Sequence, residues 1–120
     1  MTELTASTDT SSAAPHATSC SFADLGLMPT LLTRLQNMQY FQPSEVQIRS
    51  IPSILAWHDV LIGAKTGSGK TAAFALPILQ LLQHSGARPD RGNWVSRLVL
   101  VPTRELAQQV AQSFVNYATE

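Results

Sequence analysis

Apolar positions recur at helical spacing in two parts of the chain. Leu31, Leu35 and Met38 follow one another at intervals of four and three residues, which predicts an amphipathic helix over residues 29–39. The same spacing returns after Pro102 and predicts a final helix that runs close to the last residue of the sequence. Its apolar face carries Leu106, Ala107, Val110, Phe114 and Tyr117.

A further helix is predicted to begin near Ser44. Ser44 and Gln47 stand three positions apart, as the partners of a capping box do, so that each side chain can bond the backbone N–H of the other residue. Pro52 should bend or interrupt this helix, because proline lacks a backbone N–H and crowds the preceding turn. The apolar surface of the helix is supplied by Val46, Ile51, Ile54 and Leu55.

Two short runs of β-branched and aliphatic residues predict buried strands, at residues 59–63 and 97–101. Between them, a near-continuous apolar stretch over 72–82 predicts a helix that is buried on several sides and interrupted at Pro77. Residues 83–95 have the composition of a surface loop. Two strands joined through a helical crossover form a right-handed βαβ unit with parallel strands, so the sequence predicts an α/β fold.

The segment Ala64–Thr71 has the spacing of a phosphate-binding loop, although it opens with alanine where the usual pattern has glycine. Gly67 and Gly69 leave room for backbone N–H groups to surround the anionic oxygens of a triphosphate, and the next helix directs its first N–H groups to the same place. Lys70 can add a positive charge for the outer phosphates, and Thr71 a hydroxyl ligand for Mg²⁺. The alternative is a chance match in a flexible turn, which the flanking strand and helix disfavour.

Composition limits the class of protein, its partners and the compartment in which it is expected. Its residues are 44% hydrophobic and 13% charged, which suits a buried core, and its net charge of +0 gives no general basic surface for nucleic acid. Cys20 cannot form an internal disulfide, and no apolar run is long enough to span a membrane, so we expect a cytoplasmic protein. Residues 1–20 are rich in Ser, Thr and Ala and are predicted to be a disordered tail.

Three separated segments together resemble the DEAD-box RNA helicases, and the resemblance covers about residues 22–118. Residues 40–47 are similar to the family's Q motif, with the aromatic Phe22 at the expected distance upstream. Residues 64–71 look like the family's own version of the phosphate loop, which opens with alanine. Residues 102–109 look like its motif Ia.

The resemblance implies that residues 21–120 are the N-terminal part of a first RecA-like P-loop domain, in which a parallel sheet is flanked by helices. It implies ATP and Mg²⁺ as cofactors, RNA as partner, and the function of an ATP-dependent RNA helicase. Lys70 and Thr71 are the implied catalytic residues, and Thr71 would also hold Mg²⁺ together with ATP. The implied ATP-binding residues are Phe22, Tyr40, Gln47, Ala64, Thr66, Gly67, Ser68, Gly69, Lys70 and Thr71.

Recognition of the base is implied for three of these residues. The amide of Gln47 can pair with the amino group and the ring nitrogen on one edge of adenine, a pattern that guanine lacks, and would therefore select ATP over GTP. Tyr40 would stack on the base, and Phe22 would line the same pocket. Without the resemblance, Gln47 is only the capping partner of Ser44, and the two aromatic residues are only core residues.

Motif Ia implies contact with the RNA backbone, independent of base sequence, through Pro102, Thr103 and Arg104. These residues lie where the second predicted strand gives way to the final helix. The alternative is an ordinary helix start, with Arg104 on the surface and Glu105 as a favourable anion in the first turn.

The chain departs from the family's pattern at several positions. Gln39 replaces the glycine that usually precedes the aromatic residue of the Q motif, and Trp57 stands where a helix-ending glycine is usual. Serine, glutamate and valine replace the usual threonine, proline and isoleucine at positions 44–46. The serine keeps the hydroxyl, and the glutamate suits the first turn of a helix.

The Asp-Glu-Ala-Asp segment, with which the family holds Mg²⁺ and positions water, does not occur in the sequence. We therefore expect a helicase fragment that is inactive alone and, because its sheet is cut, marginally stable. One alternative is a truncated, non-catalytic ATP-binding or scaffold protein. A third hypothesis, a DNA-directed helicase or another P-loop ATPase, is disfavoured by the segments that resemble the Q motif and motif Ia.

Overall fold

Helices form most of the structure over the residues that the computed structural model describes, which are 2–5, 20–85 and 95–118. In chain order the elements are strand β1 (Thr2–Thr5), a 3₁₀ helix (Phe22–Leu25), helix α1 (Pro29–Asn37), helix α2 (Glu45–Leu55), strand β2 (Val60–Gly63), helix α3 (Lys70–His84) and helix α4 (Arg104–Ala118). All of the predicted helices are therefore confirmed, as is the strand that precedes the phosphate loop.

The predicted capping box at the start of α2 is confirmed in detail. Ser44 is the N-cap residue, and its hydroxyl accepts a hydrogen bond from the Gln47 N–H at 3.4 Å. In return, Oε1 of Gln47 accepts a bond from the Ser44 N–H at 2.9 Å. Two N–H groups that the first turn of a helix would leave without partners are satisfied, and this fixes where α2 begins.

The prediction that Pro77 interrupts its helix is wrong, and Pro52 does not interrupt its helix either. α2 continues through Pro52 to Leu55, and α3 continues through Pro77 to its last turn. A proline inside a helix costs about 3 kcal/mol, whereas each fully buried aliphatic side chain contributes about 1.5–3 kcal/mol. α2 and α3 pack extensively against each other, and Ile51 and Leu76 are completely buried, so packing offsets the cost of the prolines.

The two strands pair in parallel, and Thr2 lies opposite Val60 at the start of the register. Strand β1 lies within residues 1–20, the segment for which the sequence predicts a disordered tail. Residues 6–19 lie outside the described residues, as do 86–94, most of the predicted surface loop.

The predicted strand over residues 97–101 is wrong, because this segment has no assigned secondary structure. A strand needs a hydrogen-bonding neighbour, and residues 97–101 belong to no sheet in the described part of the chain. Leu98 and Leu100 are left 76% and 83% exposed. The predicted βαβ unit, and with it the parallel sheet built on this segment, is not confirmed.

The core lies where the 3₁₀ helix, α1, α2 and α3 meet, and Tyr117 joins it from α4. The predicted apolar face of α4 is only partly buried, since Val110 and Tyr117 are buried but Leu106 is exposed. A cavity of about 330 Å³ remains between α3, α4 and residues 97–101. An irregular segment does not fill this space as a strand of a sheet would.

Two residues that stand in place of the family's usual glycines have left-handed backbone. Gln39, just after α1, has a φ of 62°, and Trp57, just after α2, has a φ of 64°. They are the non-glycine residues with positive φ in the described part of the chain. The departures noted in the sequence therefore keep the glycine conformation, although left-handed backbone costs a residue with a Cβ about 1–2 kcal/mol.

Replacing Gln39 with glycine should stabilise the protein by about 0.5–1 kcal/mol, because the left-handed conformation then carries no steric cost. Gln36, three positions earlier, is helical and exposed, so Gln36→Gly should destabilise by about 1 kcal/mol. Urea unfolding followed by circular dichroism measures both changes. Equal destabilisation by the two substitutions would contradict the conformational explanation.

Candidate functional site

The phosphate loop joins β2 to α3, the arrangement that the motif requires. Gly67 and Gly69 have φ values of 82° and 85°, and Gly69 is the N-cap residue of α3. The first N–H groups of α3 have no partners within the helix, and the positive end of the helix dipole lies at the same place. The loop and the helix start together form a concave set of donors for an anion.

Lys70 is the first residue of α3, and its side chain turns back across the loop. Its Nζ donates a hydrogen bond of 2.6 Å to the carbonyl oxygen of Ala64. The loop is thus closed on itself by its own lysine, with the positive charge held over the loop backbone. Thr71 follows and lines the same cavity as Lys70, Thr66 and the two left-handed glycines.

The side-chain hydroxyl of Ser68 is an unusual polar group in this loop, because of its burial and its lack of a partner in the described part of the chain. Its hydroxyl oxygen is buried and has no hydrogen-bond partner among the described residues. Buried hydroxyls are nearly always hydrogen-bonded, because an unpaired one costs about 1–3 kcal/mol. This hydroxyl, the first N–H groups of α3 and the Lys70 ammonium are the kinds of donor that a triphosphate needs, so the residues of the loop fit that ligand.

Gln47 links the predicted base side of the site to the phosphate side. While Oε1 accepts the Ser44 N–H, Nε2 donates to the carbonyl oxygen of Gly69 at 3.2 Å. A Cβ placed on Gly69 would collide with Nε2 of Gln47. An amide group has two donor hydrogens and two acceptor lone pairs, so each of these bonds leaves one donor and one acceptor of Gln47 for a ligand.

A cavity of about 980 Å³ brings together many of the predicted ATP-binding residues, which are Tyr40, Gln47, Thr66, Gly67, Gly69, Lys70 and Thr71. Three other predicted ATP-binding residues, Phe22, Ala64 and Ser68, do not line it. Phe22 is buried and lines a smaller cavity of about 180 Å³, which Tyr40 lines as well. Tyr40 thus borders both cavities, whereas Phe22 borders only the smaller of the two.

Tyr117 also lines the large cavity, a position that its place on the apolar face of α4 does not predict. Burial raises the pKa of its hydroxyl, and the nearby Tyr40 raises it further. The hydroxyl therefore remains a neutral donor over the whole physiological range. Residues 98–101, predicted as strand, line the cavity as well.

The predicted RNA-contact residues lie at the start of α4. Pro102, Thr103 and Arg104 are all exposed. The Thr103 hydroxyl accepts a hydrogen bond of 3.2 Å from the Leu106 N–H, so it caps the helix. Thr103 thus has the ordinary capping role at a helix start, and the exposed Arg104 side chain is accessible to a partner.

The described residues contain no group of three or more His, Cys, Asp and Glu side chains arranged for a metal ion. Among them there is also no helix with the length and apolar character needed to cross a membrane.

Comparison with known proteins identifies the same family as the motifs. The family model for DEAD/DEAH box helicases matches residues 44–120. An ATP-dependent RNA helicase DBP9 of Coccidioides immitis is 47% identical over 106 residues, which are 88% of this chain and 17% of that protein. A DEAD-box ATP-dependent RNA helicase 17 of Oryza sativa subsp. japonica is 48% identical over 93 residues, or 77% of this chain and 16% of that protein.

The fold agrees with this result. A DEAD box protein from the hyperthermophile Methanococcus jannaschii has a TM-score of 0.69 and 34% identity, over 81% of this chain and 25% of that one. Of the two curated relatives named above, the helicases of Coccidioides immitis and Oryza sativa, the chain spans less than a fifth of the length. The match to the family model, the relatives and the solved structure together show that this chain belongs to the DEAD/DEAH box helicase family.

Proposed function

We propose that the chain provides the ATP-binding part of an ATP-dependent RNA helicase. The observation that carries this proposal is the phosphate loop. Lys70 begins α3 there, and the buried Ser68 hydroxyl has no partner in the part of the chain that the structure describes. ATP-dependent RNA helicase activity is named for the relatives, and the protein built on this site would share it.

In the proposed complex, the triphosphate of ATP takes the place of the Ala64 carbonyl oxygen as the partner of Lys70. The loop N–H groups and the Ser68 hydroxyl bond its oxygens, and the N-terminus of α3 stabilises their charge. Mg²⁺, when bound, neutralises part of the phosphate charge and polarises the phosphoryl group. Thr71 is the residue of this loop that would hold the ion, since hydroxyl oxygens suit a hard cation.

The base would lie against Tyr40, with Gln47 at its edge. The free N–H of the Gln47 amide suits adenine N7, and the free lone pair of Oε1 suits the adenine amino group. The bonds from Gln47 to Ser44 and Gly69 hold the amide in one orientation, so recognition requires little further ordering. This arrangement accounts for a preference for ATP over GTP.

RNA contact is proposed at Thr103 and Arg104, beside Pro102 at the start of α4. The Arg104 guanidinium is exposed and carries five donors in a fixed plane, which suits phosphate oxygens. Recognition of this kind positions a strand without reading its bases.

Loss of the Lys70 ammonium should weaken ATP binding by about 1.5–3 kcal/mol, the usual worth of a hydrogen bond to a charged group. Lys65 is the other lysine of the chain, lies in the same loop and is exposed, so Lys65→Ala is the matched control and should change affinity little. Titration of the chain with a fluorescent ATP analogue compares Lys70→Ala, Lys65→Ala and the unsubstituted chain. Equal affinity in all three would exclude the phosphate role.

Replacing Gln47 with glutamate should abolish the preference for ATP over GTP. A bidentate contact to a base edge provides about 1–3 kcal/mol of such discrimination. Glutamate keeps an acceptor for the Ser44 N–H and so preserves the cap, but it offers no donor to adenine N7 or to the Gly69 carbonyl oxygen. Gln42→Glu makes the same charge change at an exposed position of the same motif. Competition by ATP and GTP against a fluorescent nucleotide measures the preference. An unchanged preference in Gln47→Glu would assign Gln47 to capping alone.

The helicase proposal predicts RNA-stimulated ATP hydrolysis when this chain replaces the matching segment of the rice relative. Hydrolysis should require RNA, should respond weakly to single-stranded DNA of the same sequence, and should be lost with Lys70→Ala. Phosphate release is the measurement, with the unmodified rice protein as control. ATP binding without hydrolysis would favour the non-catalytic alternative, and equal stimulation by DNA would favour a DNA-directed enzyme.

A further inference from the structure

Gln80 is a buried polar residue in the middle of α3, only 7% exposed. Its Oε1 accepts a hydrogen bond of 2.7 Å from the Met28 N–H, and its Nε2 donates one of 2.8 Å to the carbonyl oxygen of Gly26. A single amide side chain thus bonds two backbone groups that are more than fifty positions away in the sequence. The phosphate loop, the base edge and the proposed RNA contact do not use this residue.

The backbone that Gln80 holds connects the 3₁₀ helix to α1. Gly26 ends the 3₁₀ helix in a left-handed conformation, and Met28 is the N-cap residue of α1. Met28 has no side-chain oxygen to cap the helix, and α1 has no side-chain cap bond. Gln80 therefore bonds the N-cap N–H of α1 from another helix, the bond that the N3 residue of a capping box makes locally.

Both elements on either side of this connector carry aromatic residues of the candidate site. Phe22 is the first residue of the 3₁₀ helix, and Tyr40 is bonded to α1 through its N–H, which donates 2.8 Å to the Leu35 carbonyl oxygen. Phe22 and Tyr40 line the cavity of about 180 Å³ between these elements. The connector accordingly joins the two elements that bring Phe22 and Tyr40 to this cavity.

The same helix holds the phosphates. α3 begins at Lys70, and Gln80 lies ten residues later, about 15 Å along the helix axis. A helix packed on several sides moves as one body, so its first turn and the connector held by Gln80 keep a fixed separation. The two ends of a nucleotide would then be positioned by one element.

We propose that Gln80 is a positioning residue for the base end of the nucleotide site. By bonding Gly26 and Met28 it fixes Phe22 and Tyr40 relative to the phosphate loop, without itself touching the nucleotide. This inference rests on the proposed function, since it concerns the same ATP site. It differs from a general stabilising role because it predicts loss of affinity for the base but not for the triphosphate.

The test compares two ligands that share the phosphates but not the base. ATP and inorganic tripolyphosphate compete against a fluorescent ATP analogue on the unsubstituted chain, on Gln80→Met and on Gln83→Met. Methionine has similar length and no amide, and Gln83 is an exposed glutamine of the same helix. In Gln80→Met the ATP affinity should fall about ten- to a hundredfold, as for loss of a base–aromatic stack, while the tripolyphosphate affinity stays the same. Gln83→Met should change neither.

Each other result counts against the proposal. If both ligands lose affinity together, Gln80 only stabilises the fold, and if neither does, it has no effect on the site. If Gln80→Met fails to fold, Gln80→Glu is tested instead. Glutamate keeps the acceptor for the Met28 N–H but places an oxygen against the Gly26 carbonyl oxygen. This variant should also lose affinity for ATP and keep its affinity for tripolyphosphate. If the unsubstituted chain binds neither ligand, the proposed ATP site itself is wrong. If the chain binds ATP and Gln80→Met does not change the affinity, only the role of Gln80 is wrong.

Discussion

The Gln47 amide makes the contact on which the candidate site depends. Its bond to the Ser44 N–H fixes the first turn of α2, and its bond to the Gly69 carbonyl oxygen fixes the end of the phosphate loop. Because the amide is planar and nearly fully buried, these two bonds set the distance between α2 and α3 at the site. Gly69 is therefore required twice, once for its left-handed backbone and once because a Cβ would collide with this amide.

The features that could be predicted from the sequence are those decided within a few residues. A capping box, a glycine-rich loop and helical spacing each specify a conformation through neighbouring groups. The same holds for two positions where the family usually has glycine. Gln39 and Trp57 stand there, and both have left-handed backbone. Their positions follow helix ends, where the hydrogen bonds of the last turn favour that conformation.

Features that depend on distant partners could not be predicted in the same way. Residues 97–101 have the composition of a strand, but whether a strand forms is decided by a neighbour with free N–H and C=O groups, and β2 pairs with β1. Pro52 and Pro77 are tolerated because α2 and α3 pack against each other and bury neighbouring residues such as Ile51 and Leu76. Gln80 is similar, since nothing near it in the sequence indicates that its partners are Gly26 and Met28.

The self-closed phosphate loop also bears on how strongly a triphosphate could bind. Lys70 already has a partner in the Ala64 carbonyl oxygen, so binding exchanges one hydrogen bond of the ammonium for a stronger, charge-assisted one. The net gain is the difference between the two bonds. The Ser68 hydroxyl differs from Lys70, because it is buried and has no hydrogen-bond partner among the residues that the structure describes. A bond to a phosphate oxygen would therefore replace an existing bond of Lys70, whereas for Ser68 it would replace none.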